Sequence, residues 1–203
     1  MKTIGILIFK DVEELDFVGP YEVFSMINTV LEYLGRPERV KPVLISEDGQ
    51  DVMCKKGMRV GAHAAMHDID KLDIVLIPGG DGTREVIENA NIMHWVKAIA
   101  PTCEWVTSVC TGSFVLAKAG LTKGRKISTY FAAFDEFAQL GLEGDLVKNL
   151  RYVRDGNVVT SAGVSAGIDM ALWLTGQMFT PELARQVQRA IQYDPAPPYQ
   201  AHV

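Results

Sequence analysis

Two hydrophobic rhythms alternate along this chain. Short β-branched or continuous apolar runs mark strands, and longer stretches with apolar residues every three to four positions mark helices. Thr3–Phe9 reads as a buried strand. Gly19-Pro20 is expected to open a helix through about Leu34, because proline is tolerated where the first helical N–H needs no partner. Val23, Phe24, Ile27, Val30, Leu31 and Leu34 share one face of it. Lys41–Ser46 is a second strand, and residues 51–60 read as a hairpin turning at Lys56-Gly57. Asp73–Pro78 is nearly all apolar and ends in Gly79-Gly80, the pattern of a central parallel strand covered on both faces. A helix over Ile92–Ala100, a strand over Trp105–Val109 and a helix from just after Cys110 to near Gly120 follow. Lys126–Thr129 is a short strand and Ala132–Leu140 a helix. Arg151–Arg154 and Val158–Ser161 flank Asp155-Gly156-Asn157, a hairpin signal. Ala166–Phe179 is an apolar helix, expected to pack in the core, within which Asp169 reads as a buried acid or as a support for the loop beneath Cys110. Thr180 caps a last helix through about Tyr193, with Pro181 in its first turn, and Asp194-Pro195-Ala196-Pro197-Pro198 ends it.

Strands alternating with helices predict one α/β domain over residues 1–203, with a mostly parallel sheet between two helical layers. In such folds ligands sit beyond the carboxyl ends of the strands. Three features fall at that edge: the loop after Phe9 with Asp16, the Gly79-Gly80 pair, and Cys110-Thr111.

Composition narrows the function. Across 203 residues the apolar fraction is 48% and the charged fraction 22%, the balance of an ordinary globular domain. The net charge of −5 leaves no basic footprint, so nucleic acid is not an expected partner. The N-terminal apolar run is strand-like, not a signal peptide, and no run is long enough to span a bilayer. The three cysteines, Cys54, Cys103 and Cys110, have neither metal-site spacing nor an even disulfide framework. A reducing, cytoplasmic setting is expected, with no metal or organic cofactor.

Cys110 concentrates the chemistry. It follows a β-branched strand and precedes Thr111-Gly112-Ser113 and an apolar helix, the layout of a nucleophile elbow. A thiol there faces the positive end of a helix, which favours thiolate. An isolated cysteine is more often an inert buried hydrophobe, and it is the flanking pattern that reverses this. Gly79 and Gly80 allow close backbone approach to a substrate. Asp16 reads as a helix-terminal acid, or as the general acid of a coupled pair if it meets the thiol. Thr111 offers a hydroxyl and an N–H beside the sulfur. His63 and His67 have a helical i, i+4 spacing but no acid between them, and surface positions are expected. His94 and His202 also lie away from the three loops, so a Cys–His mechanism is disfavoured.

At these residues the chain resembles the ThiJ/PfpI superfamily, and within it the isonitrile hydratase branch. The resemblance rests on Leu15-Asp16-Phe17-Val18-Gly19-Pro20, Ile77-Pro78-Gly79-Gly80, Val109-Cys110-Thr111-Gly112-Ser113, Ala162-Gly163-Val164-Ser165-Ala166-Gly167 and the Pro195-Ala196-Pro197-Pro198 tail. It implies a flavodoxin-like sandwich, a homodimer, Cys110 as nucleophile, Asp16 as its acid and Thr111 as an accessory group. It implies a small-molecule substrate, an isonitrile converted to an N-substituted formamide through a thioimidate. Where relatives often carry His-Trp, this chain has Tyr130-Phe131, which are expected to line the substrate pocket. Two alternatives stay open: a glyoxalase or deglycase acting on small aldehydes, for which Glu22 is the candidate acid, and a non-enzymatic cysteine redox sensor or small-molecule-binding regulator. Related regulators add a DNA-binding helical pair; none follows the tail here before Val203, so direct DNA binding is not expected.

Overall fold

The computed structural model describes residues 1–195. The elements follow in chain order as β1 (Lys2–Leu7), α1 (Glu14–Tyr33), β2 (Val40–Ser46), β3 (Val52–Met53), β4 (Arg59–Val60), β5 (Ala64–Ala65) and β6 (Ile74–Ile77). Next are α2 (Thr83–Val86), α3 (Ala90–Ile99), β7 (Trp105–Val109), α4 (Gly112–Lys118), β8 (Lys126–Ile127), α5 (Phe134–Gln139) and β9 (Asp145–Leu146). The last are β10 (Tyr152–Asp155), β11 (Val158–Ser161), α6 (Ala166–Met178) and α7 (Pro181–Ala190).

Seven strands form the main sheet in the order β10-β11-β7-β6-β1-β2-β5. Every pairing in it is parallel except the β10–β11 hairpin. β6 and β7 are buried along their whole length, as strands covered on both faces must be. α1, α6 and α7 pack together in one helical layer, while α2, α3 and α4 group in the other. β3–β4 and β8–β9 are small separate ladders. The expected α/β sandwich is therefore present, and the hairpins at residues 51–60 and 151–161 lie where the turn residues place them.

One expectation needs correction. α1 begins at Glu14, so Gly19-Pro20 lies inside the helix rather than at its start. The proline forgoes a single hydrogen bond, to the Asp16 carbonyl. The pair is buried where α1 crosses α6: a Cβ on Gly19 would meet Ile168 Cγ1 at 2.8 Å, and one on Gly167 would meet Pro20 Cγ at 3.1 Å. Close helix approach, not helix initiation, accounts for the small and compact residues there. His63 and His67 are exposed, as expected, and do not share a helix; His63 Nδ1 accepts the Leu44 N–H at 3.0 Å. No described helix is long and apolar enough to cross a membrane. The tail from Ala196 onward, including Pro197, Pro198 and His202, lies outside the described residues.

Candidate active site

The site grows from the end of β7. Parallel pairing puts Ser108 beside Ile77 of β6, so the chain leaves both strands at one edge. Cys110 takes φ +56°, a left-handed conformation that L side chains rarely adopt and that marks stored backbone strain. The turn is fixed from several sides. Cys110 N–H donates to the Ala162 carbonyl at 2.9 Å, and its own carbonyl accepts Thr129 Oγ1 at 3.1 Å and Ser113 Oγ at 3.2 Å. Gly112 is needed because a Cβ there would sit 2.0 Å from the Ile77 carbonyl oxygen. This is the elbow that the sequence predicts.

Asp16 lies in the first turn of α1 rather than on a preceding loop, and it is fully buried. Gly79 N–H donates to its Oδ2 at 2.8 Å, while Oδ1 is buried without a hydrogen-bond partner. A Cβ on Gly79 would fall 2.6 Å from Thr111 N, 2.7 Å from Cys110 Cβ and 2.8 Å from Asp16 Oδ2. These three residues therefore converge on the space that Gly79 leaves open. Gly80, at φ +119°, turns its N–H to Thr111 Oγ1 at 3.1 Å. Both glycine N–H groups are thus committed to holding Asp16 and Thr111. The donors that favour charge on sulfur are instead the N–H and hydroxyl of Thr111.

Electrostatics overturns one expectation. Cys110 is only 6% exposed, and burial, with the Asp16 carboxylate next in size, pushes the thiol up to about 12. The helix terminus does not outweigh that desolvation. Burial likewise raises Asp16 from 3.8 to about 7, with Glu13 adding to the rise, while the Gly79 N–H, the Cys110 thiol and the Val164 N–H favour its charged form. The two groups form a coupled pair that loses its first proton near neutrality and its second only at high pH.

A cavity of ≈ 300 Å³ opens onto Cys110, Thr111, Gly80 and Tyr130. Phe131 is 74% exposed and packs edge-on against Tyr130 with ring centroids 4.7 Å apart, outside the lining. The 3₁₀ turn at Phe131–Ala133 directs Tyr130 inward and leaves its neighbour in solvent. Glu22 is exposed on α1 and does not line the cavity. Asp169 is not buried beneath Cys110; it is half-buried in an ion pair with Arg151, whose Nε donates to it at 2.6 Å. Cys54 and Cys103 are buried free thiols, both raised to about 11 by burial. A larger cleft of ≈ 650 Å³ between β10, α6 and α7 contains no cysteine, so size does not single out the reactive site.

Sequence reasoning missed the charged rim. Glu13, Lys56, Asp81, Arg84 and Glu136 also line the cavity. Lys56 comes from the β3–β4 hairpin, pairs with Glu13 and gives its N–H to Glu14 Oε1 at 2.7 Å. Val164, at φ +51°, closes another side. No periodicity marks these residues, because each arrives from a different element. A β-branched residue in the left-handed region is itself an outlier, but the sequence does not reveal backbone angles.

Residues 2–177 match the DJ-1/PfpI family. An isonitrile hydratase of Pseudomonas putida is 35% identical over 196 residues, covering 97% of this chain and 80% of the relative. The HTH-type transcriptional regulator CdhR of Pseudomonas aeruginosa is 30% identical over 159 residues, 78% of this chain but 47% of the regulator. Among solved structures, a ThiJ/PfpI family protein from Pseudomonas syringae superposes with a TM-score of 0.86 at 27% identity, covering 100% of this chain and 79% of that one. Drosophila melanogaster DJ-1beta shares the fold, with a TM-score of 0.80 at 20% identity over 94% of this chain and 97% of its own.

Proposed function

Because this chain belongs to the DJ-1/PfpI family, we propose that it acts as a cysteine-dependent isonitrile hydratase, taking a small isonitrile to an N-substituted formamide. The observation that carries this reading is the buried Cys110–Asp16 pair at a strained elbow, with no histidine lining the cavity among the described residues. Hydration of an isonitrile needs a nucleophile for the terminal carbon and a proton for the same carbon. The pair holds both. In its singly ionised form the proton resides on sulfur or on the carboxyl, and the tautomer with thiolate and protonated Asp16 is the reactive one.

The chemistry then runs in two balanced halves. Cys110 Sγ bonds to the isonitrile carbon as Asp16 delivers its proton there, giving a thioimidate, Cys–S–CH=N–R. Water adds to that carbon, and the proton it loses passes through the Asp16 carboxylate to the nitrogen. The C–S bond then breaks as the Asp16 carboxylate takes the hydroxyl proton, the formamide leaves, and the pair returns to thiolate beside carboxylic acid. The Thr111 N–H and hydroxyl favour negative charge on sulfur at both ends of the cycle. A cavity of ≈ 300 Å³ suits a compact substrate.

The relative named as an isonitrile hydratase supports this substrate class, and Glu22, the acid the aldehyde alternative would use, is exposed and away from the thiol. We further propose that the chain works as a homodimer, consistent with Leu15 and Val18 standing 37% and 39% exposed on the first turns of α1. Sedimentation velocity at working concentration tests that point. For the activity, wild type and Cys110→Ala are incubated with simple alkyl and aryl isonitriles, and with methylglyoxal in parallel. Formamide from wild type alone is expected. Formamide from neither protein, or from both, refutes the proposal, and lactate without formamide moves the site to aldehyde chemistry.

A further inference from the structure

Arg84 is bound in a way that an ordinary surface ion pair is not. It stands on α2, just past the Gly80-Asp81-Gly82 turn. Its Nε donates to Glu136 Oε1 at 2.7 Å and its Nη2 to Oε2 of the same carboxylate, a two-pronged fork onto α5. Its Nη1 donates to the Gly80 carbonyl at 3.1 Å and to Thr83 Oγ1 at 3.1 Å. The guanidinium carbon lies 5.4 Å from the centroid of the Phe114 ring, which is fully buried on α4. All three nitrogens are engaged, and three elements fix the group.

Its reach extends to the nucleophile in two short steps. The Gly80 carbonyl that Arg84 holds also accepts Thr83 Oγ1 at 2.8 Å, and the N–H of the same residue donates to Thr111 Oγ1 at 3.1 Å. Thr83 and Thr111 hydroxyl oxygens lie 3.2 Å apart. Thr111 Oγ1 also lies 3.2 Å from the Gly80 carbonyl, and Thr111, next to Cys110 in the chain, favours charge on its sulfur through its N–H and hydroxyl. We infer that Arg84, forked onto Glu136, is a positioning residue for the Cys110 reaction: it locks the Gly80 peptide and thereby aims the Thr111 donors at sulfur. Arg84 and Cys110 also interact through charge, which adds a direct electrostatic contribution. The other titratable or charged groups facing the thiol are Asp16 and Glu13 from α1 and the turn before it, Lys56 from the hairpin, and Asp81, Tyr130 and Glu136 around the cavity.

The inference rests on Cys110 being the nucleophile, and its test separates that premise from the substrate. Four variants are compared: Arg84→Gln, Arg84→Lys, Glu136→Gln and the reversed pair Arg84→Glu with Glu136→Arg. Lys118→Gln, which breaks an exposed pair with Glu88, is the control. The readouts are kcat and KM on an isonitrile, thermal midpoint, and the pH profile of Cys110 alkylation by iodoacetamide, which needs no physiological substrate.

Arg84→Gln is expected to lower kcat ~10- to 100-fold with KM nearly constant. Its alkylation profile moves up by about one pH unit, the direction expected when a nearby cation is lost. Arg84→Lys keeps the charge and the profile but loses the fork, and its kcat falls. Glu136→Gln lowers kcat without an upward move in the profile. The reversed pair regains thermal stability but neither kcat nor the profile, because a carboxylate at position 84 cannot donate to the Gly80 carbonyl. Full rescue by the reversed pair, or an Arg84→Gln protein that loses only thermal stability, overturns the inference. Absence of isonitrile turnover in wild type leaves the alkylation profile to decide it alone.

Discussion

Replacing Asp16 with asparagine separates what this site contributes to chemistry from what it does to stability. The carboxyl is fully buried, and its pKa rises from 3.8 to about 7, chiefly because burial disfavours the charged form. A folded-state value above the unfolded one means that folding binds a proton between those limits. Stability is therefore greatest below the unfolded value and declines as pH rises toward 7. At 1.36 kcal/mol per pH unit, a rise from 3.8 to about 7 corresponds to ~4 kcal/mol in all, of which ~3 kcal/mol falls between pH 5 and pH 8. Asparagine keeps an oxygen for the Gly79 N–H and does not titrate. Its amide nitrogen replaces Oδ1, the buried atom that lacks a partner in wild type. Guanidinium unfolding of both proteins at pH 5, 6, 7 and 8 reads the difference directly, since every other titrating group is shared. The variant should gain on wild type by ~3 kcal/mol across that range, while its turnover falls ~10²- to 10⁴-fold for want of the acid. A stability difference that stays constant from pH 5 to pH 8 refutes the reasoning, because Asp16 would then not titrate near neutrality in the folded protein.

Three further outcomes follow from the same geometry. Gly79→Ala forces a methyl between Thr111, Cys110 and Asp16, so denaturation should show a loss of about 2–3 kcal/mol together with loss of turnover. Thr111→Val conserves shape but deprives the Gly80 N–H of its acceptor; kcat should drop ~10²-fold, and the alkylation profile of Cys110 should move to higher pH. Phe131→Ala and Glu22→Gln, both exposed and outside the cavity, should leave kcat/KM within about 2-fold of wild type, as surface substitutions remote from a site do.

The sheet and the elbow were legible because their signals are local. β6 and β7 are apolar throughout since both faces are covered, and Cys110-Thr111-Gly112 reads as a tight turn because Gly112 abuts the Ile77 carbonyl. Asp16 and Gly79-Gly80 could be placed at the same edge because each follows a strand of a parallel sheet. The start of α1 was not legible: Gly19-Pro20 has the composition of a helix start, yet its size serves the crossing with α6, a tertiary contact. Arg84 and Glu136 were missed for the same reason, since fifty-two residues separate the two arms of their fork.

The most instructive divergence is the thiol itself. Reading the elbow locally gives a helix terminus and a lowered pKa. The folded chain adds desolvation by residues distant in sequence, and this pushes Cys110 and Asp16 upward together. A buried thiol raised to about 12 would be inert at neutral pH on its own. Beside a carboxyl raised to about 7 it is not on its own. The pair carries one negative charge above neutrality, and only a proton shift between adjacent atoms separates its resting form from thiolate beside a carboxylic acid. Under the proposed reaction, the same desolvation that costs the fold stability supplies a nucleophile and an acid in one step, without an imidazole. Such a site is matched to adding S–H across a small electrophilic carbon, and poorly matched to a reaction whose leaving group needs a separate cationic acid.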